Sequence, residues 1–172
     1  MESQVDSYNA IVKYLAEREG IGVWQYQDCP YKELRFLLQD AYGLFKKFSG
    51  KHYLTESLTS IALLGFELLN WLQTIQDDQP KPLTAWVDDI LRPIFIRKNH
   101  DYGNSFERTM DEFGPVVAKI RIGDKVNRFL FLSRNAESEV DIRVLDESLS
   151  DTLLDLCNYC ILSLMWLDKQ KD

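Results

Sequence analysis

The stretch Leu145-Asp-Glu-Ser-Leu-Ser-Asp-Thr-Leu-Leu-Asp-Leu-Cys-Asn-Tyr-Cys-Ile-Leu-Ser-Leu-Met-Trp-Leu167 decides the fold. Its apolar residues Leu149, Leu153, Leu154, Leu156, Cys157, Ile161, Leu162 and Leu164 recur at spacings of three and four, the period of a helix buried on most sides. Asp146 is placed to cap it, so a long interior helix is predicted from Glu147 to about Leu167. Against that background Glu147, Asp151 and Asp155 repeat every fourth residue and Asn158 continues their line, which makes one face acidic. Like charges one turn apart repel by roughly a few tenths of a kcal/mol per pair in water, and by more when buried. Something must offset that repulsion. Solvent and neighbouring Lys or Arg side chains are one answer. A hard divalent cation is another, because Mg²⁺ takes oxygen ligands, keeps several waters and joins one or two carboxylates to substrate phosphates.

Working outward from this segment, the rest of the chain keeps the same period. Tyr8, Ile11, Val12 and Leu15 mark a first short helix that Gly20-Ile21-Gly22 stops. Leu34, Leu37, Leu38, Tyr42 and Phe45 carry a second from Tyr31 to about Phe48, ended by Ser49-Gly50. A third, leucine-rich helix runs from Thr55 to about Gln76. Asp77 to Pro82 has the most linker-like composition in the chain, and the boundary between an N-terminal half (1–80) and a C-terminal half (84–172) falls there. Beyond it Thr84 can cap a helix to Lys98 that Pro93 should kink, then Asn99 to Asn104 form a polar break, and a further helix spans Pro115 to Ser133. No segment alternates with period two, so the fold class is all-α, an antiparallel helical bundle.

Composition narrows the function. The 172 residues are 45% apolar with 8 Gly and 5 Pro, enough to bury a real core. Twenty basic against 27 acidic residues give a net charge of −7, which argues against a broad basic grip on polymeric nucleic acid. Cys29, Cys157 and Cys160 make no disulfide framework, and the first residues lack the pattern of a secretory signal, so a cytoplasmic protein is expected. The most apolar run, Ile61 to Leu72, contains Glu67 and Asn70 and is too short to span a bilayer, so no membrane partner is expected. The large aromatic load, with Trp86, Phe95, Phe129, Phe131 and Trp166, predicts that some rings form an intersubunit surface and that the chain is a homodimer.

Leu54-Thr-Glu-Ser-Leu-Thr-Ser60 and Leu145-Asp-Glu-Ser-Leu-Ser-Asp151 share Leu, Glu, Ser and Leu, and both open leucine-rich helices. Each follows a helix carrying an Asp (Asp40 and Asp124) and a glycine-containing break (Gly22 and Gly103), so the halves read as a duplication. The copies are chemically unequal, since Ser60 and Leu64 stand where the second has Asp151 and Asp155.

Two further clusters bear on chemistry. Arg121, Asp124, Lys125 and Arg128 share one helix face. They either form salt bridges to the acidic stripe or place Asp124 on a metal while Lys125 and Arg128 hold phosphate oxygens. Both readings require the two helices to face each other. Lys98-Asn-His-Asp-Tyr-Gly-Asn-Ser105 is either a helix end followed by an Asn104 or Ser105 cap, or a site. As a site, Tyr102 would stack on a base, Asp101 or Asn104 would read its edge, and Lys98 would meet phosphate. Cys157-x-x-Cys160 reads as paired core cysteines rather than zinc ligands. Glu67 and Asn70 read as a partnered polar pair or as a remnant of a site.

The three ordered motifs Lys98–Phe106, Ile120–Arg128 and Asp146–Tyr159 resemble the phage and bacterial family called nucleotide modification associated domain 1, over roughly residues 86 to 167. That family is similar in turn to the MazG-like all-α nucleoside triphosphate pyrophosphohydrolases. The resemblance implies phage-type deoxynucleotide metabolism, a nucleotide or modified deoxynucleotide as substrate, and Mg²⁺-dependent release of pyrophosphate. MazG-like enzymes carry a Glu-x-x-Glu pair on one helix and a Glu-x-x-Asp pair on a later one. Glu147 and Asp151 resemble the later pair with one extra residue between them, and Asp124 stands near the earlier pair, where Asn127 and Arg128 replace a second Glu. The resemblance thus implies Glu147, Asp151 and Asp124 as catalytic and metal-binding residues, with Asp155 as a further ligand. Lys98, Asp101, Tyr102, Asn104, Lys125, Arg128 and Asn158 are the corresponding substrate-binding candidates.

Overall fold

The computed structural model describes residues 2–20, 31–75, 79–102, 104–134 and 139–170; of residues 2, 20, 99, 101, 102 and 139–147 it describes the helical backbone alone. The predicted helical period is realised throughout, with no strand among the described residues. In chain order the elements are α1 (Glu2–Gly20), α2 (Tyr31–Lys47), α3 (Lys51–Ile75), α4 (Leu83–Trp86), a π turn (Val87–Leu91), α5 (Arg92–Tyr102), α6 (Ser105–Phe113), α7 (Val116–Ser133) and α8 (Glu139–Lys169).

Four helices close a ring: α2 packs on α3 and α7, and α8 packs on the same two. Neighbours run antiparallel. At one end of the α2–α7 pair Arg35 Nη2 donates to Leu130 O at 2.7 Å, and at the other Lys119 Nζ donates to Phe48 O at 2.8 Å. Lys51 Nζ, at the start of α3, donates to Gln170 O just past the end of α8 at 2.7 Å. The bundle is therefore two helical hairpins, α2–α3 and α7–α8, laid against each other. Helix α1 lies on α3, α4 and α8, and α6 lies on α7 and α8.

Why α3 and α8 sit at the centre follows from their sequences. Ile61 to Phe66 of α3 are buried without a break, followed by Leu68, Leu69, Leu72 and Ile75. By length and composition α3 could cross a membrane, but most of it is buried inside the bundle, as an all-round apolar helix in a core must be. The two central helices meet where side chains are smallest. A Cβ on Gly65 would lie 2.6 Å from Cys157 Sγ, and that sulfur sits 3.7 Å from Ala62 O. Cys157 and Cys160 are fully buried, and burial pushes both thiols up, so they act as core residues as the sequence implied. A second close approach joins the hairpins, since a Cβ on Gly123 of α7 would collide with the Tyr42 hydroxyl of α2.

At Pro93, where a kink is expected, the preceding turn widens to a π turn, with Arg92 N–H bonded to Val87 O, which accommodates a residue that lacks an N–H and crowds the preceding turn. Two other expectations are revised. The polar break expected from Asn99 to Asn104 is shorter, because α5 continues to Tyr102 and α6 begins at Ser105. Most of the aromatic side chains expected at an intersubunit surface are internal: Trp86, Phe95, Phe129 and Trp166 are buried, and Phe131 alone of that group is exposed, at 59%. Residue Lys81, at the described end of the linker, is pinned by Asn70. Asn70 Nδ2 donates to Lys81 O at 2.9 Å, while its Oδ1 accepts from Lys81 N at 3.0 Å and from Trp86 Nε1 at 2.8 Å.

The α3–α8 crossing makes a direct prediction. Gly65→Ala should destabilise the protein by roughly 1–3 kcal/mol through overpacking, despite alanine's better helix propensity. Removing the opposing sulfur in Gly65→Ala/Cys157→Ala should recover part of that loss, with a coupling of at least about 0.5 kcal/mol in a urea-denaturation double-mutant cycle. Strict additivity would show that the two residues do not touch.

Candidate functional site

Helix α7 turns Ile122, Val126 and Phe129 into the core and leaves Arg121, Asp124, Lys125 and Arg128 outside. Helix α8 buries Leu149, Leu153, Leu156 and Cys157, which leaves Asp151 exposed and Asp155 and Asn158 half-buried. The charged faces meet across the groove between them. Lys125 Nζ lies 2.6 Å from Asp155 Oδ2, and one turn further along Arg128 Nη2 donates to Ser148 Oγ at 3.4 Å. Lys125 is 22% exposed and Asp155 44%, so this ion pair sits at the groove's lip with modest screening.

Of the two sequence readings of this face, the salt bridge is the one formed between Lys125 and Asp155. Asp124 stands one residue round α7 from Lys125, about 100° away. Its charge reaches Tyr42 of α2, whose phenol is pushed up first by burial and then by that carboxylate. Among the described residues, which leave out the Glu147 side chain, no three His, Cys, Asp or Glu side chains assemble as a metal-binding group. The helix backbone passes through Glu147, Asp101 and Tyr102, whose side chains lie outside the described residues. Lys98 is exposed on α5. Asn104 stands at the N-cap position of α6 without a side-chain cap hydrogen bond to the backbone, and its amide bonds the Glu107 carboxylate, which also takes Lys169 Nζ at 2.5 Å. Asn158 carries a buried Oδ1 with no hydrogen-bond partner among the described residues.

Sequence reasoning missed the contribution of α6. Ser105, Phe106 and Thr109 of α6, Val117 and Arg121 of α7, and Tyr159 of α8 enclose a cavity of about 240 Å³ at one end of the α7–α8 groove. The available signal was Phe106 and Met110 one helical turn apart after a capping Asn104.

In the N-terminal hairpin, Glu56 is paired with Arg18 Nη2 at 2.6 Å. Glu67 does not pair with Asn70, whose amide is committed to the linker. It lies half-buried near Glu19, and burial, then the Glu19 charge, push its carboxyl up to about 6. Glu19 is also pushed up by burial, opposed by a hydrogen bond from the Leu83 N–H.

Residues 98–167 match the family model described as nucleotide modification associated domain 1. The resemblance carried by the three motifs therefore holds over this segment, which contains α6, α7, most of α8 and the cavity among them. No curated protein and no solved structure matches the chain.

The Glu67 environment predicts a pH dependence. A carboxyl whose folded pKa is raised from 4.5 to about 6 favours the folded state below about 4.5, and loses that contribution as pH rises through about 6. Glu67→Gln should match the parent at pH 4.5 and exceed its stability above pH 7 by on the order of 1 kcal/mol, allowing for partial exposure. Equal stability of the two proteins from pH 4.5 to 8 would show that Glu67 is not desolvated.

Proposed function

We propose that this chain is a nucleotide-processing enzyme of phage-type deoxynucleotide metabolism, a Mg²⁺-dependent pyrophosphohydrolase of MazG-like descent working in the α7–α8 groove. The observation that carries this reading is the meeting of cations and oxygen donors across that groove, Lys125 with Asp155 and Arg128 with Ser148, within the family-matched segment. Glu147, Asp151 and Asp124 are the carboxylates assigned to the metal. Their chemistry suits it: Mg²⁺ takes hard oxygen donors and completes its shell with water and substrate phosphates, so a preassembled set of three carboxylates is not required. When bound, it polarises a phosphoryl oxygen and lowers the pKa of an attacking water. Arg128, at the groove edge, presents a planar fork to phosphate oxygens, and Lys125 can exchange Asp155 for a phosphate. Lys98 adds a cation from α5. The hairpin α2–α3 packs on α7–α8, and Arg18 neutralises Glu56, which supports its reading as a degenerate half. Homodimerisation through the exposed Phe113, Val116 and Ile120, and a cytoplasmic setting, belong to the same proposal.

A second reading is favoured by the Lys125–Asp155 pair, which holds one candidate ligand: the groove binds or sequesters a nucleotide without turnover. Incubation with canonical and modified deoxynucleoside triphosphates plus Mg²⁺, followed by chromatography, separates the two. Monophosphate and pyrophosphate are expected, and Asp151→Asn should abolish their formation while leaving the melting temperature within about 3 °C, since exposed substitutions usually cost under about 0.5 kcal/mol. Recovery of unchanged bound nucleotide supports the second reading. Neither turnover nor binding would leave the groove as a protein-interaction surface.

A further inference from the structure

The cavity between α6, α7 and α8 has a lining unlike the rest of the groove: the ring of Tyr159 backed by Phe106, the hydroxyls of Ser105 and Thr109, and the cation Arg121. We infer that it is the nucleobase subsite of this groove, with Arg121 as the first phosphate contact. The inference rests on the nucleotide reading above and relocates base recognition from Tyr102 and Asn104. One N–H of the Asn104 amide is already engaged by the Glu107 carboxylate, which leaves it one donor fewer for a base edge.

Three features of the cavity carry the assignment. Its volume of about 240 Å³ falls below the roughly 300 Å³ at which pockets for drug-sized ligands begin, so it accommodates a ring system rather than a whole nucleotide. The Tyr159 and Phe106 rings lie 5.5 Å apart, tilted by 43°, which leaves no room for a base between them but braces Tyr159 as a stacking platform. Thr109 Oγ1 donates its proton to Ser105 O at 2.8 Å, so towards a ligand it offers lone pairs and accepts from an N–H on the base.

Position along the groove gives the polarity. Arg121 is one turn, about 6 Å, from Lys125 on α7, and Tyr159 is one turn from Asp155 on α8. A base on Tyr159 therefore directs its sugar and phosphates past Arg121 towards the Lys125–Asp155 pair and Arg128, where the proposed phosphate chemistry lies. Aromatic stacking, one acceptor and one cation recognise a nucleoside phosphate whose base carries an exposed amine or imino proton.

Ligand-observed NMR titrations of the intact protein with the four deoxynucleoside monophosphates and their nucleosides test this. Tyr159→Leu should weaken both ligand types about tenfold, the order expected for one lost base stack, whereas Tyr159→Phe should retain affinity. Arg121→Gln, an exposed substitution that leaves the core untouched, should weaken monophosphates several-fold and leave nucleosides unchanged. Thr109→Val should alter the ranking among bases. Monophosphates that bind with affinities changed less than twofold by Arg121→Gln and by folded Tyr159→Leu would overturn the subsite and leave the nucleotide reading standing. Absence of binding by every monophosphate at millimolar concentration would overturn both.

Discussion

Close approach of α3 and α8 at Gly65 and Cys157 is the constraint on which the remaining architecture depends. Two helices this apolar must hide almost all of their surface, and they do so against each other, with a glycine opposite a small buried sulfur where a Cβ would collide. Once α3 and α8 are fixed, α2 and α7 can only fill the remaining sides, each as the antiparallel partner of its own sequence neighbour. The Gly123–Tyr42 approach then sets how tightly the two hairpins close. α1 and α6 cover what is left, and covering it creates the cavity at the end of the α7–α8 groove.

The same packing explains why charge accumulates at that groove. An acidic stripe on a helix otherwise committed to the core must emerge somewhere, and it emerges beside the face of α7 that carries Arg121, Lys125 and Arg128. Lys125 offsets Asp155 there, while Asp151 stays exposed, so repulsion between the two is partly relieved without removing both from a ligand's reach. The interaction that stabilises the groove thus also sets what an anionic ligand has to displace.

The N-terminal hairpin shows a different treatment of its carboxylates. Glu56 is neutralised by an arginine from α1, and Glu67 and Glu19 are held half-buried with raised pKa values. This half contributes packing to the single core shared by both halves, including Leu34, Leu38, Phe45, Leu58 and Phe66.

What the sequence determined by itself was local: the helical period, the core face of α8, the acidic stripe and the cationic face that had to meet it. These follow from side-chain spacing of three and four residues, which fixes a face before any partner is known. The three motifs also carried the family resemblance, because they lie in the segment that the family model matches. Tertiary structure decided everything that depends on which faces touch. It formed the salt bridge between Lys125 and Asp155, set Asp124 within electrostatic reach of Tyr42, committed Asn70 to Lys81 and Trp86, and placed a π turn before Pro93. It also placed Arg121 and Tyr159 around one cavity with α6, a short helix whose few apolar residues give a weak period. Residues nearly forty positions apart become neighbours there through packing alone, and no spacing along the chain encodes that distance.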